Sequence, residues 1–587
     1  MRQDGRGDRR GQTLRATSAR ASGARAGDLG PRPSRLAANQ GPDSRKRAET
    51  GIMTTADVSR PRLSQQQILL LMAGLMSGML LAALDQTIVG TALPTIVGEL
   101  GGIDHYSWVV TAYLLASTAS TPLYGKISDL YGRRPVFLFS IGTFLVGSLL
   151  AGLSQDMTQL IITRGIQGLG AGGLMTLAFT IISDVVSPRE RGRYQGLFGA
   201  VFGVASVAGP LVGGYFAEHD WRWIFYVNVP IGVLAIVVCY HVMRLIPFHR
   251  RPHSVDWLGA ALMVAGVSCL LLGLSWGGNQ YSWGSPTIVG LFVAGGVLAV
   301  LFLLQESRAS EPILPLKLFR RRTFALANAA GFILGLVMFG SIIFIPLYLQ
   351  IVKGATPTRS GLLMLPMMAG VIVTSVLSGR AMSRIGRYKW FPVAGSAVLT
   401  AGMLLFTQLH VDTSLWLAFG YMVVIGVGLG LCMQSLVLAV QNAVDLRDLG
   451  AGTSAATFFR SLGGSFGVAI LGAVLSSRLG SELAERLPGA VSRLTPEQAA
   501  RFEASGGASN FSINEPAVIR ALPEPLREAI QFAFVDALQV VFLIAGLVAI
   551  LAVLVTLAMP DRELRGAAPV TGEESATDAE ARAQTMI

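Results

Sequence analysis

Along this chain apolar residues arrive in long unbroken blocks, not in the alternation of a half-buried strand or the single stripe of a surface helix. About 20 apolar residues in a helix cross the hydrocarbon core of a bilayer. In lipid the backbone must satisfy its own hydrogen bonds, so such blocks are helices. Fourteen blocks follow one another, at 67–92, 106–124, 135–153, 159–182, 194–217, 223–243, 257–275, 286–304, 325–350, 360–379, 391–409, 414–436, 453–476 and 535–559. The pattern predicts an all-α polytopic membrane protein with 14 transmembrane helices.

Composition sharpens that picture. Of 587 residues 52% are hydrophobic and 14% charged, against about 25% charged in an average soluble protein. The mean hydropathy is +0.54 and glycine reaches 68 residues, a residue enriched in transmembrane helices. A water-soluble enzyme and a disordered chain are both excluded. Cys239, Cys269 and Cys432 lie inside apolar blocks with no metal or redox spacing and read as small hydrophobes.

The net charge of +12 suggests nucleic acid only until its position is considered. With the N-terminus inside, the gaps 125–134, 183–193, 244–256, 305–324, 380–390 and 437–452 hold 19 Lys and Arg, whereas the short gaps on the other side hold 3. That asymmetry is the positive-inside rule. It places both termini in the cytoplasm of a multi-pass protein of the cell membrane and argues against a nucleic-acid partner. Residues 1–62 are rich in Arg, Ala, Gly and Ser and read as a disordered basic tail. Equally, translation starts at Met53 and the first 52 residues are not made. No apolar stretch follows the first charges, so no signal peptide is expected. Residues 561–587 read as a disordered cytoplasmic tail.

One repeat is visible. Gly125 and Gly132-Arg133 enclose the gap after the second block, and Gly379 and Gly386-Arg387 enclose the gap after the tenth, with the same seven-residue spacing. Two six-helix halves, 63–245 and 323–560, separated by a two-helix insert at 246–322, account for fourteen. Parallel halves of this kind are a transporter architecture with the substrate between them. The segment 477–534 falls outside the cell. Its Leu, Ala, Glu and Arg content allows amphipathic helices that cap an exit path, dock a partner or simply connect.

Few residues carry chemistry. Asp85 is the one acid well inside an apolar block. Burial favours its neutral form, so it is expected to carry a proton or, ionised, to attract a cation; the plainer reading is an acid paired with a neighbouring helix. Arg164 keeps its charge and needs an anion, backbone carbonyls or water nearby. Arg460 lies in the thirteenth block. Thr87, Gln167, Gln350 and Gln434, with Gln441, are further polar groups that are candidates for lining a cavity. The fifth block carries Gly209-Pro210 and Gly213-Gly214, a close-packing and hinge surface. Asp129, Arg133 and Arg134 stand where opposite charges can latch two halves in one state. No phosphate loop or metal-ligand cluster is present. His249 and His253 flank Pro252 in a basic gap, an improbable metal site. No cofactor is expected, and transport, if it occurs, draws on an ion gradient or runs downhill.

These residues resemble the major facilitator superfamily, and within it the fourteen-span drug:proton antiporters, over nearly all of 65–560. Gly125-Lys-Ile-Ser-Asp129-Leu-Tyr-Gly132-Arg133-Arg134 is similar to the loop motif between the second and third helices. Leu84-Asp85-Gln-Thr87-Ile-Val-Gly-Thr-Ala-Leu93-Pro94 resembles the first-helix motif. Arg164-Gly-Ile-Gln167-Gly168-Leu-Gly170 resembles the fourth-helix proton-coupling motif. Ala205-Ser-Val-Ala-Gly209-Pro210-Leu-Val-Gly213-Gly214 resembles the fifth-helix antiport motif, and Trp221-Arg-Trp-Ile-Phe-Tyr-Val-Asn228-Val-Pro230 is also similar to the group. Gly90 stands where the first-helix motif often has Asn, and Ala205 where the fifth has Gly.

The resemblance implies proton-coupled export of hydrophobic, in one version cationic, drugs or other small molecules by alternating access, with Asp85 and Arg164 as coupling residues. Antibiotic resistance is the implied consequence. Protons, the substrate and the bilayer are then the partners. A dedicated exporter of one natural product or lipid, and a facilitator that imports a nutrient, fit the same fold. A receptor without flux would be expected to carry a folded cytoplasmic domain, and a membrane enzyme an ionisable cluster. Neither is visible.

Overall fold

The computed structural model describes residues 64–100, 106–245, 255–278, 280–499, 519 and 522–564. The tail 1–62 with Met53, His249, His253, residues 500–518 of the outer segment and residues 565–587 lie outside them. The described residues form fourteen helices: α1 Gln65–Leu100, α2 Tyr106–Tyr131, α3 Arg133–Gly152, α4 Met157–Val185, α5 Pro188–His219, α6 Trp223–Val242, α7 Trp257–Trp276, α8 Pro286–Arg308, α9 Arg322–Ile351, α10 Thr358–Ile385, α11 Trp390–Phe406, α12 Leu415–Ala443, α13 Leu449–Val491 and α14 Glu524–Leu557. Twelve are long and apolar enough to cross a membrane. The exceptions are α2, rich in Ser, Thr and Tyr, and α11, with 17 residues.

Local signals set the helix starts. Asp156 caps α4 by accepting from the Gln159 amide. Ser187 and Glu190 form a capping box ahead of α5, with Pro188 at the first helical position. Ser285 with Pro286, Thr356 with Pro357, and Ser414 do the same for α8, α10 and α12. A capping oxygen satisfies an amide that has no partner inside its own helix.

The packing repeats with an offset of eight helices. In the first half α2 and α3 pack on α4, and α5 and α6 pack on α1. In the second, α10 and α11 pack on α12, and α13 and α14 pack on α9. The halves meet through two equivalent pairs, α2 with α13 and α5 with α10. The inserted pair stands aside: α7 rests on α2, where Trp108 meets Trp276 edge-on at 5.2 Å and Thr111 bonds Ser275 at 2.9 Å, while α8 packs chiefly on α7.

Backbone contact holds each half. A Cβ at Gly209 would lie 2.0 Å from the Thr87 hydroxyl, and in the matching seam a Cβ at Gly463 would lie 2.0 Å from the Phe332 carbonyl. Lipid gives helices no hydrophobic reason to associate, so such close approach is what binds them.

The outer segment differs from its expected form. The thirteenth helix does not end near residue 476 but runs on to Val491. Leu471, Leu475, Leu479 and Leu483, four residues apart, are all buried, and no proline interrupts them. Likewise α14 begins at Glu524. Arg486 of the extended α13 pairs with Asp536 of α14, so much of 477–534 continues the two spans.

Gly463→Ala is expected to lower the thermal midpoint of the purified protein, because overpacking against backbone costs about 1–3 kcal/mol. Gly142→Ala, with no atom within 4 Å of its Cβ, leaves the midpoint unchanged. Equal midpoints for the two variants would contradict the seam.

Candidate functional site

Three of the sequence candidates converge inside the first half. Asp85 of α1 is fully buried, and Arg164 of α4 is 1% exposed. Arg164 Nη1 donates to Asp85 Oδ2 at 2.6 Å and to Gln167 Oε1 at 2.6 Å. Gln167 Nε2 donates to Asp85 Oδ1 at 2.8 Å. Asn228 Nδ2, from α6, donates to the same oxygen at 3.3 Å and to Ser148 Oγ of α3 at 3.0 Å. Arg164 Nε reaches the Val109 carbonyl of α2 at 3.3 Å, and its guanidinium lies 4.3 Å from the centre of the Tyr113 ring. One ion pair thus ties together five helices of the half.

The Asp85 carboxylate accepts three of these bonds, from Arg164, Gln167 and Asn228. Of the two readings of Asp85, the structure has the acid paired with a neighbouring helix, and a cation approaching it would have to displace a fixed guanidinium. Thr87 points elsewhere: its hydroxyl donates to the carbonyls of Leu84 and, across to α5, Ala205 at 3.0 Å.

Asp129, Arg133 and Arg134 separate in their roles. Asp129 Oδ1 and Oδ2 accept the backbone amides of Gly450 and Ala451 at 3.0 and 2.9 Å. Those are the first turn of α13, in the other half, and helix N-termini attract anions. Arg133 holds Asp129 at 2.5 Å and Asp184 of α4 at 2.7 Å. Arg134 turns away and stacks on Tyr240 of α6.

The loop-motif glycines have two distinct duties, in both halves. A Cβ at Gly125 would lie 2.6 Å from the Gly450 carbonyl of α13, and one at Gly379 would lie 2.1 Å from the Gly192 carbonyl of α5. The first glycine therefore lets opposite halves touch. The second, Gly132 or Gly386, has φ of 100° or 75°, a conformation that favours glycine. At α10 the electrostatics are inverted: Arg189 of α5 donates to the carbonyls of Ser383 and Arg384 at its C-terminus. A carboxylate on amides and a cation on carbonyls close the same, basic end of the bundle.

A third cluster was hardly legible in the sequence. Gln441 of α12 accepts from Ser183 of α4 and Gln195 of α5, both at 2.8 Å, and donates to Thr453 of α13 at 3.2 Å. It bolts four helices across the halves just inside the basic end. Gln441 was visible only as a polar group near a span end. Asn228 lay in a quoted motif with no role, and Ser148, Ser183 and Gln195 gave no signal, because single hydroxyls and amides are common in such helices.

The fifth-helix motif faces two ways. Gly209 and Gly213 seat α1, whereas Pro210 touches Gly361 of the other half and Gly214 faces Thr358. At the end opposite the basic one, Glu99 accepts from Trp221 Nε1 at 2.9 Å and Arg222 Nη1 at 2.7 Å. Arg222 holds the Glu99 carboxyl below its usual range. Gln350 bonds Ser360 at 2.9 Å. Gln434 is 1% exposed, and neither of its amide atoms has a partner.

A cavity of ≈ 20 Å³, lined by α9, α12 and α13, contains Met338, Met433, Leu436 and Arg460. It has room for about one water. Asp85 and Arg164 do not line it.

Two parallel helical halves, closed against each other at one end and holding a buried ion pair, define a membrane transporter. Residues 75–468 match the Major Facilitator Superfamily, and the chain belongs to that family, whose members carry small molecules and are not enzymes. It is 42% identical to the Bacillus subtilis (strain 168) multidrug transporter protein MdtP over 443 residues, 75% of this chain and 81% of that one. It is 35% identical to multidrug resistance protein 3 of the same strain over 508 residues, 85% and 96% of the two chains. The solved structure of the proton:xylose symporter XylE superposes with a TM-score of 0.53 at 13% identity, covering 86% of this chain and 98% of that one. That likeness is one of fold.

Two outcomes follow from the geometry. Arg164→Gln strands a buried carboxylate and is expected to cost about 3–5 kcal/mol of stability. The double variant Asp85→Asn/Arg164→Gln should recover part of that in thermal unfolding, and strict additivity of the two single losses would refute the pairing. Asp129→Asn is expected to loosen the basic end. A cysteine at Ser183, in a chain lacking Cys239, Cys269 and Cys432, should then react several-fold faster with a hydrophilic maleimide, and an unchanged rate would show that Asp129 does not hold the closure.

Proposed function

We propose that this protein is a proton-coupled exporter that exchanges inward-moving protons for an outward-moving apolar small molecule by alternating access. The carrying observation is the buried Asp85–Arg164 pair, with Gln167 and Asn228 also donating to the carboxylate. Protonating Asp85 removes the counter-charge of Arg164 and places an O–H among donors. The five-helix network must then rearrange, which links proton occupancy to the shape of the half. In this reading all fourteen helices span the membrane and the basic end faces the cytoplasm. The Asp129 latch and the Gln441 cluster are the inner gate, and the Gly-Pro surface of α5 is the hinge seam. The multidrug names of the two Bacillus relatives support export over import and an apolar cargo.

The energetics are adequate. One pH unit is worth about 1.4 kcal/mol per proton, enough for roughly a tenfold gradient of a neutral compound in one-for-one exchange.

The test uses inverted membrane vesicles with an acid interior and a panel of apolar dyes of positive, neutral and negative charge. Wild type is expected to accumulate at least one dye until the gradient is collapsed. Asp85→Asn should lose that dependence and Asp85→Glu keep part of it. Gradient-dependent accumulation persisting in Asp85→Asn would overturn the role of Asp85. No gradient-dependent accumulation by the wild type would overturn the export reading.

A further inference from the structure

Deep in the first half Arg164 is paired with Asp85; deep in the second, Arg460 has no such partner among the described residues. Arg460 lies eleven residues into α13, about 16 Å along the helix, and lines the cavity between α9, α12 and α13. Among the described residues it has neither a carboxylate nor a hydrogen-bond partner. The helices around it offer none: α9 and α12 contain no acid, and the nearest acids on α13 itself are Glu482 and Glu485, about 33 Å further along its axis. The remaining lining is apolar, with Ala327, Leu334, Met338, Leu429, Met433 and Leu436 among it.

Packing does not require a guanidinium here. The equivalent contacts of Gly125 on Gly450 and Gly379 on Gly192 match α13 to α5, and ten residues beyond Gly450 and Gly192 stand Arg460 and Phe202. The second half carries a fixed positive charge where the first carries an aromatic ring. An arginine inside a membrane protein is costly unless an anion, a dipole or water meets it.

We infer that Arg460 is the anchor for an anionic substrate, an apolar small molecule bearing one ionised acidic group whose body lies against the Met and Leu side chains of the cavity. The assignment names the substrate class of the exporter proposed above and rests on that reading for its setting. The cavity is contracted in this state. Methionines such as Met338 and Met433 are adaptable linings, and in the alternating-access reading the same region widens when the basic-end latch is released. The class differs from the cationic compounds that Asp85 first suggests, because Asp85 is paired with Arg164, whereas among the described residues no carboxylate faces Arg460.

The test is equilibrium binding to the purified full chain in lipid nanodiscs, corrected with empty discs. The probes are anthracene-9-carboxylate, its uncharged carboxamide and 9-(aminomethyl)anthracene, which share one apolar body. Wild type is expected to bind the carboxylate at least about tenfold more tightly than the amide, the worth of a charge-assisted hydrogen bond. Arg460→Gln should bring that ratio close to one with the amide affinity unchanged, and Arg460→Lys should retain most of the preference. The inference is overturned if wild type shows no preference for the carboxylate or does not bind it. It is overturned too if Arg460→Gln keeps the ratio, or if it weakens all three probes equally, the mark of a purely structural role. Binding needs no gradient, so a failure of proton-driven export and a failure of the anion site are read separately.

Discussion

Helices in hydrocarbon gain nothing by hiding apolar side chains from one another, so this bundle depends on backbones that come into direct contact. The seams are built where a side chain is missing: Gly209 on Thr87, Gly463 on Phe332, Gly125 on Gly450 and Gly379 on Gly192. The first two join helices within a half and are needed in every state. The last two join one half to the other at the basic end, beside Asp129 and Arg189, which also cross between the halves. Dispersion falls steeply with distance, so these contacts are strong only while the backbones touch.

Charge is distributed by the same logic. Every ionised group buried in the first half has a partner that differs in its reach. Asp85 and Arg164 bind one half internally. Asp129 crosses to the amides at the start of α13, and Arg189 crosses to the carbonyls at the end of α10. Helix termini of opposite polarity thus serve equivalent places in the two repeats, which keeps the pseudo-symmetry of the packing while the sequences diverge. In the second half the counterpart of this economy is absent around Arg460. That difference between the halves is what the proposed coupling pair and the proposed cargo anchor rest on.

Much of this was legible before any coordinates. The block lengths, the 19-to-3 bias of Lys and Arg and the paired Gly…Gly-Arg gaps set out the helices, the two halves and the insert. Asp85, Arg164, Gln167 and Asn228 lay on three separate motifs, and Asp85 and Arg164 stood out because charge inside apolar blocks is rare. Less was legible where the signal is a common residue. Asn228 and Gln441 look like any amide near a span end, and the extension of α13 hides in a leucine spacing that a hydropathy block does not measure.

The sequence by itself determined that the chain is a bundle of membrane helices in two related halves, because the bilayer prices apolar length and backbone satisfaction locally, residue by residue. It also determined which few groups had to be explained. Only the tertiary structure decided how they are joined: that Asp85 faces Arg164, that Arg134 leaves the latch to Asp129 and Arg133, that the two glycines of each loop do different work, and that Arg460 stands alone in its cavity. Those are facts about which helix lies beside which, and a partner some 80 or 320 residues away in the chain leaves no local trace in periodicity or charge.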